Sequence, residues 1–326
     1  FKDTLYKVLI NHNLKDLVIP FFIWLNYFHD NNLEEIKINM EYLKNKGFNF
    51  KTIDELYNLG RGNTFFRLPY ISENNKNFLE YVCSFMRSIC HDLTYERKYV
   101  LETHKSKEKK DKKETKIKKR VAFISERLKT DSSVLRDRFK IIENLDRTLF
   151  DVFIIVSESE QFFYKNVKGN FSLDFYKKHK DEFIFLPKNI SVSRNIIDFL
   201  NLDVIVYCEI GMDYKPYILS YSRLAPVQVN TWGHSETSGI DTIDYFISSK
   251  YYELPYEISQ KYYSEKLILT DSLCTCYPKL DILNKPFKTR EELGFKKDDN
   301  IFSCLQASFK ISETIEYIIK SILEKY

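Results

Sequence analysis

The sequence predicts an α/β protein: a doubly wound sheet of parallel strands, preceded by a mainly helical region and followed by the opening unit of a second α/β layer. Three observations carry this. Short continuous apolar runs recur between residues 120 and 270, with helical patterns between several of them, as expected of strands covered on both faces. The first hundred residues show helical spacing instead. A lysine-rich stretch separates the two regions.

Taken in order, LEEIKINMEYLKNKG (Leu33 to Gly47) sets apolar residues at helical spacing and ends on a glycine suited to close a helix. KTIDELYNLG (Lys51 to Gly60) and NFLEYVCSFMRSI (Asn77 to Ile89) repeat the pattern. Such pairs suit either a helical-repeat array or simple helical packing, and no repeat recurs at a fixed period. Residues 101–120 read as a charged linker. The strands expected after it are RVAFIS (120–125), DVFIIVS (151–157), FIFL (183–186), DVIVY (203–207), VQVNT (227–231), DYFIS (244–248) and KLILT (266–270). Helices are expected at 134–144, 193–201 and 214–224 between them. This first α/β domain spans 121–285. Residues 286–326 hold a helix, a turn at Gly294, a strand at Ile301 to Leu305, a loop, and a helix from about Ser312. One β-loop-α unit cannot bury its own faces, so a second α/β domain is expected to begin near residue 286 and to be cut short at residue 326.

At 326 residues, 44% hydrophobic and 16% aromatic, the chain can fill a sizeable core. Its net charge of +4 hides an asymmetry. Lys105 to Arg120 holds ten Lys or Arg against three Asp or Glu, an excess of +7 that leaves the remainder at about −3. Such a run could be a nucleic-acid or anionic-lipid patch. With no aromatics among the lysines, it reads as a solvated linker, and no nucleic-acid partner is expected. The six cysteines (83, 90, 208, 274, 276 and 304) form no CxxC and no zinc spacing. Reduced thiols in a cytoplasmic setting account for them. The longest apolar run, Leu17 to Phe28, is too short to cross a bilayer, so no membrane partner is expected.

The chemistry concentrates between Glu209 and Ser248. Three of the eight glycines, Gly211, Gly233 and Gly239, fall there, and a glycine-poor chain keeps glycine where φ is positive or something approaches the backbone closely. Around them lie Glu209, Asp213, His234, Ser235, Glu236, Thr237 and Ser238, which suggests a pocket for a polar ligand beyond the carboxyl ends of the strands. Glu209 and Asp213 would orient ligand hydroxyls or cap a helix. Thr237, Ser238 and Gly239 would offer donors or form a plain turn. Arg223 and Gln228 are expected to fix the turn around Pro226.

SRLAPVQVNTWGHSETSGIDTIDYFIS, then YYSEKLILT, then SCLQASFKI, resembles the catalytic region of the O-linked N-acetylglucosamine transferase family, with its SPINDLY-like relatives and bacterial and viral-type members. The likeness runs from about Arg120 to Lys310, and FRLPYISENN (66–75) echoes the segment before it. The resemblance implies two facing Rossmann-like domains in the GT-B arrangement, often preceded by tetratricopeptide repeats. It implies inverting transfer of a sugar from a nucleotide donor, usually UDP-N-acetylglucosamine, to Ser or Thr hydroxyls of an acceptor protein. Lys310 matches the lysine that contacts the donor diphosphate, with Gln306 beside it for the nucleotide. Charge growing on that diphosphate must be offset by a metal or fixed donors. The chain has no DxD pair, so no metal or cofactor is expected and a lysine at a helix start takes the task. His234 would act as general base or as a donor to sugar or phosphate, with Gly233 beside it. Members commonly carry a histidine in the loop after the first strand. Here that loop reads SERLKTDSSVL, and Asp131 is the candidate base in its place. Other donors (GDP-fucose, UDP-glucose) and a non-catalytic binding module with a vestigial transferase domain are the alternatives.

Overall fold

The computed structural model describes residues 1–24, 32–59, 65–70, 74–97, 118–128, 132–166, 170–277 and 287–325. Seven strands form one sheet: β1 (Lys119–Ser125), β2 (Phe150–Val156), β3 (Phe183–Phe185), β4 (Val204–Tyr207), β5 (Val227–Thr231), β6 (Tyr245–Ser249) and β7 (Lys266–Thr270). Their order is β3-β2-β1-β4-β5-β6-β7 and every pairing is parallel. The chain winds outward from β1 to β3, then crosses back to start again at β4. The strand order therefore reverses between β1 and β4, and the crevice at their carboxyl ends is the expected ligand position of such a sheet.

Alternation along β1 divides the core. Val121 and Phe123 face one side with Ile154, Phe139 and Phe163, while Ala122 and Ile124 face the other with Ile155, Ile197 and Ile205. The first face is covered by helices Ser133–Asn144, Glu160–Asn166 and Asn170–Lys178. The second is covered by Ile190–Phe199 and Tyr214–Ser220, and beyond them by the N-terminal helices.

Those N-terminal helices are α1 (Lys2–Asn11), α2 (Leu33–Asn45), α3 (Ile53–Leu59) and α4 (Lys76–Ile89). Helix α2 starts where the Asn32 side chain accepts from the Glu35 N–H at 3.1 Å. It ends in a paired reverse turn: Gly47 at φ +68° donates to the Lys44 carbonyl, and Phe48 donates to that of Leu43. The apolar run that begins at Leu17 sends Val18, Ile19, Phe22 and Ile23 into the core. Among the described residues no helix is long and apolar enough to cross a membrane. Leu43, Leu79 and Val82 belong to the same apolar cluster as Ile205 and Ile218 of the α/β region. Polar ties reinforce it: Asp54 of α3 accepts from the backbone of Ile190 at 2.6 Å, and Arg194 donates to Asp92 at 2.8 Å.

All seven expected strands form, within a residue or two of their predicted ends. The end of the chain differs. Residues 290–294 make turns rather than a helix, with Gly294 at φ +82° as expected of a turn. Ile301 to Leu305 is not a strand; it joins no ladder among the described residues, and Leu305 is 93% exposed. A strand is held by the bonds it makes to a neighbour, and none of the described residues pairs with this segment. The closing helix does form, at Glu313–Lys325. The cysteines are all free thiols, four of them buried.

Candidate functional site at the carboxyl edge of the sheet

The crevice between β1 and β4 is lined with charge. Asp213 sits at the N-terminus of helix Tyr214–Ser220 but makes no capping bond. Its carboxylate instead takes both ends of Arg127, Nε at 2.5 Å and an Nη at 2.7 Å. Glu209 is fully buried and accepts from the Glu126 N–H at 2.8 Å. Burial first, and the Asp213 carboxylate second, push its carboxyl up to about 8. Lys215, also buried, donates to the carbonyls of Ser157 (3.0 Å) and Pro187 (2.6 Å), tying together the ends of β2 and β3. Desolvation brings its ammonium down to about 8.

Beside this crevice the loop after β5 carries His234. Its ring is buried, stacked on Phe66 at 5.3 Å between centroids, and lies over Gly211, where a Cβ would come within 2.4 Å of the ring. Gly211 is also at φ +103°, so both space and backbone demand glycine. Burial, and then the charge of Lys310, lower the His234 imidazole to about 4. It is therefore neutral at pH 7. The Lys310 ammonium stands 5.3 Å from the centre of the Tyr70 ring. The lysine of the last loop and the histidine of the β5 loop are thus brought together, with the 65–70 segment between them.

The remaining loop residues hold the loop itself. Thr237 Oγ1 donates to Glu265 at 2.6 Å, and Ser238 donates to the same carboxylate through its N–H at 2.8 Å and its hydroxyl at 2.5 Å. The expected open backbone approaches are filled by the chain. A Cβ on Gly233 would lie 1.9 Å from the Cys208 carbonyl oxygen, and one on Gly239 would lie 2.4 Å from the Leu79 backbone. Gln228 and Arg223 fix the turn near Pro226 as expected, through Leu224 N–H (2.8 Å) and Asp244 (2.6 Å). Gln306 lies in an exposed turn, where its N–H donates to the Cys304 carbonyl. Asp131 falls outside the described residues, while its neighbour Ser132 caps the following helix through Leu135 N–H.

Sequence reasoning missed three participants. Phe66 and Tyr70 of the RLPY segment meet His234 and Lys310, and Asn75 donates to the Glu236 carboxylate at 2.9 Å. Burial raises that carboxyl to about 7. The echo at 66–75 was the available signal, since it named the segment without naming what the segment touches.

No protein-family model matches the chain, and no curated protein matches it. Among solved structures 44 chains match. One is a mutant of the Thermobaculum terrenum O-GlcNAc transferase, with 16% sequence identity, a TM-score of 0.48, and coverage of 76% of this chain and 43% of that one. The chain thus spans less than half the length of that structure.

Proposed function

We propose that the chain carries the acceptor-side half of a glycosyltransferase that moves a sugar, N-acetylglucosamine from UDP in the first instance, onto a Ser or Thr hydroxyl of a protein. The single observation behind this reading is the meeting of Lys310 with His234 at the carboxyl edge of the sheet. It joins two motifs that lie 76 positions apart in the sequence. In the reaction the acceptor oxygen bonds to the anomeric carbon as the bond to the diphosphate breaks, and that electron pair leaves on the diphosphate. An ammonium placed there offsets the growing charge. His234, neutral at working pH, either takes the hydroxyl proton or donates its single N–H to the donor. Gly211, Thr237 and Ser238 keep the imidazole loop in place, and Arg127 with Asp213 shapes the neighbouring crevice.

The test is nucleotide release by the full-length protein with UDP-N-acetylglucosamine and a peptide pool, alongside a thermal-shift panel of nucleotide sugars on the same protein. Lys310→Ala should lower release by about 100-fold or more, the usual scale for removing one charge-stabilising donor. Release that survives Lys310→Ala removes the lysine from this role. A panel in which no nucleotide sugar shifts the melting temperature removes the donor.

A further inference from the structure

An open groove of about 350 Å³ adjoins the His234 loop, and its chemistry is distinct from that of the crevice. One wall is Trp232 stacked on Tyr252, with centroids 4.9 Å apart and planes at 25°. Tyr262 and Tyr263 contribute further rings, and Glu236 and Glu253 supply carboxylates. Glu253 accepts from Ser248 Oγ and Tyr263 Oη, each at 2.7 Å and each on Oε1. Its Oε2 takes no hydrogen bond among the described residues. Among the described residues the lining contains no Lys, Arg, His, Asn or Gln. Tyr252 and Tyr262 are 40% and 39% exposed, so part of this aromatic surface reaches solvent.

We propose that this groove binds a cationic side chain, Lys or Arg, that neighbours the acceptor residue of the polypeptide substrate. Aromatic faces attract a cation through their ring quadrupoles, and the carboxylate of Glu253, joined by that of Glu236 as pH rises through about 7, supplies the opposing charge. A saccharide stacks on aromatic rings too and would meet the hydroxyls of Ser235 and Tyr262, but a neutral sugar gains nothing from the negative charge that the carboxylates add. A neutral or acidic side chain gains little from two carboxylates. The inference rests on the transferase reading only for the origin of the peptide; the groove's preference is a binding property that needs no donor.

The experiment measures affinity of the purified protein for fluorescent Ser-containing peptides, with a lysine scanned through roughly four positions on either side of the serine. Norleucine and glutamate peptides serve as controls. At one or two positions lysine should bind about tenfold tighter than norleucine, the scale of a desolvated cation–π contact with charge support. Glu236→Gln with Glu253→Gln should erase that contrast, and Tyr262→Leu, at the exposed rim, should reduce it. Thermal melts confirm that each variant is folded. Equal affinity for lysine and norleucine at every position overturns the proposal, as does a contrast that survives the double carboxylate variant. Displacement of the lysine peptide by a methyl glycoside reassigns the groove to saccharide. If no nucleotide sugar binds, the transferase reading fails while the lysine contrast is still read on its own.

Discussion

Glu209 is held in a state that costs stability at neutral pH, and replacing it should show this. The side chain is fully buried, one carboxylate oxygen has no hydrogen-bond partner among the described residues, and the Arg127 guanidinium is engaged by Asp213. Its carboxyl is raised from 4.5 to about 8. The folded protein therefore keeps a proton that the unfolded chain releases from about pH 4.5 upward. Stability falls as pH rises through this window and levels off above about pH 8. At about 1.4 kcal/mol per pH unit, the cost is about 1 kcal/mol at pH 5 and about 3 kcal/mol at pH 7. Glu209→Gln copies the shape of the protonated acid and has no proton to lose. Urea unfolding followed by circular dichroism should show the variant more stable by about 3 kcal/mol at pH 7 and by about 1 kcal/mol at pH 5. A variant no more stable than wild type at pH 7, or a gain that does not shrink toward pH 5, would falsify the account of this carboxyl.

Two further outcomes follow from the loop. Gly239→Ala places a Cβ 2.4 Å from the Leu79 backbone at φ +67°, and left-handed strain with overpacking should cost about 2–4 kcal/mol in the same unfolding assay; a loss below about 1 kcal/mol would mean that the contact with α4 is loose. Lys310→Met should raise the His234 imidazole from about 4 without restoring its ordinary value, because burial is the larger cause. Histidine proton shifts across a pH titration read this directly, and an unmoved value would separate the two residues.

Most of the sheet was legible because period-2 and continuous apolar patterns are local. VQVNT and KLILT became strands at their expected residues. Helices Lys2–Asn11, Glu160–Asn166 and Asn170–Lys178 were missed; they are short and mix lysines and asparagines into their apolar faces, so their periodicity is weak. The strand expected at Ile301 failed for the opposite reason: its local pattern is good, but a strand also needs a neighbour. At the candidate site, the loops singled out in the sequence lie together, and several of their residues bond within the chain. The glycine-rich window reads as an opening for a ligand, yet Gly233 and Gly239 admit the Cys208 carbonyl and Leu79. Thr237 and Ser238 look like free donors until Glu265, more than 25 positions on, turns out to bind both. Glycine marks a close approach without saying whether the visitor comes from outside or from the same chain.

The N-terminal helices bear directly on how the protein can be dissected. Leu79 seats Gly239, Asn75 steadies Glu236, and Arg87 reaches Asp241 and the Tyr221 carbonyl. An adaptor that merely recruited cargo could be trimmed or exchanged with the rest left intact. Here the N-terminal helices behave as scaffolding for the β5 loop, and removing them would take away the footing on which that loop stands.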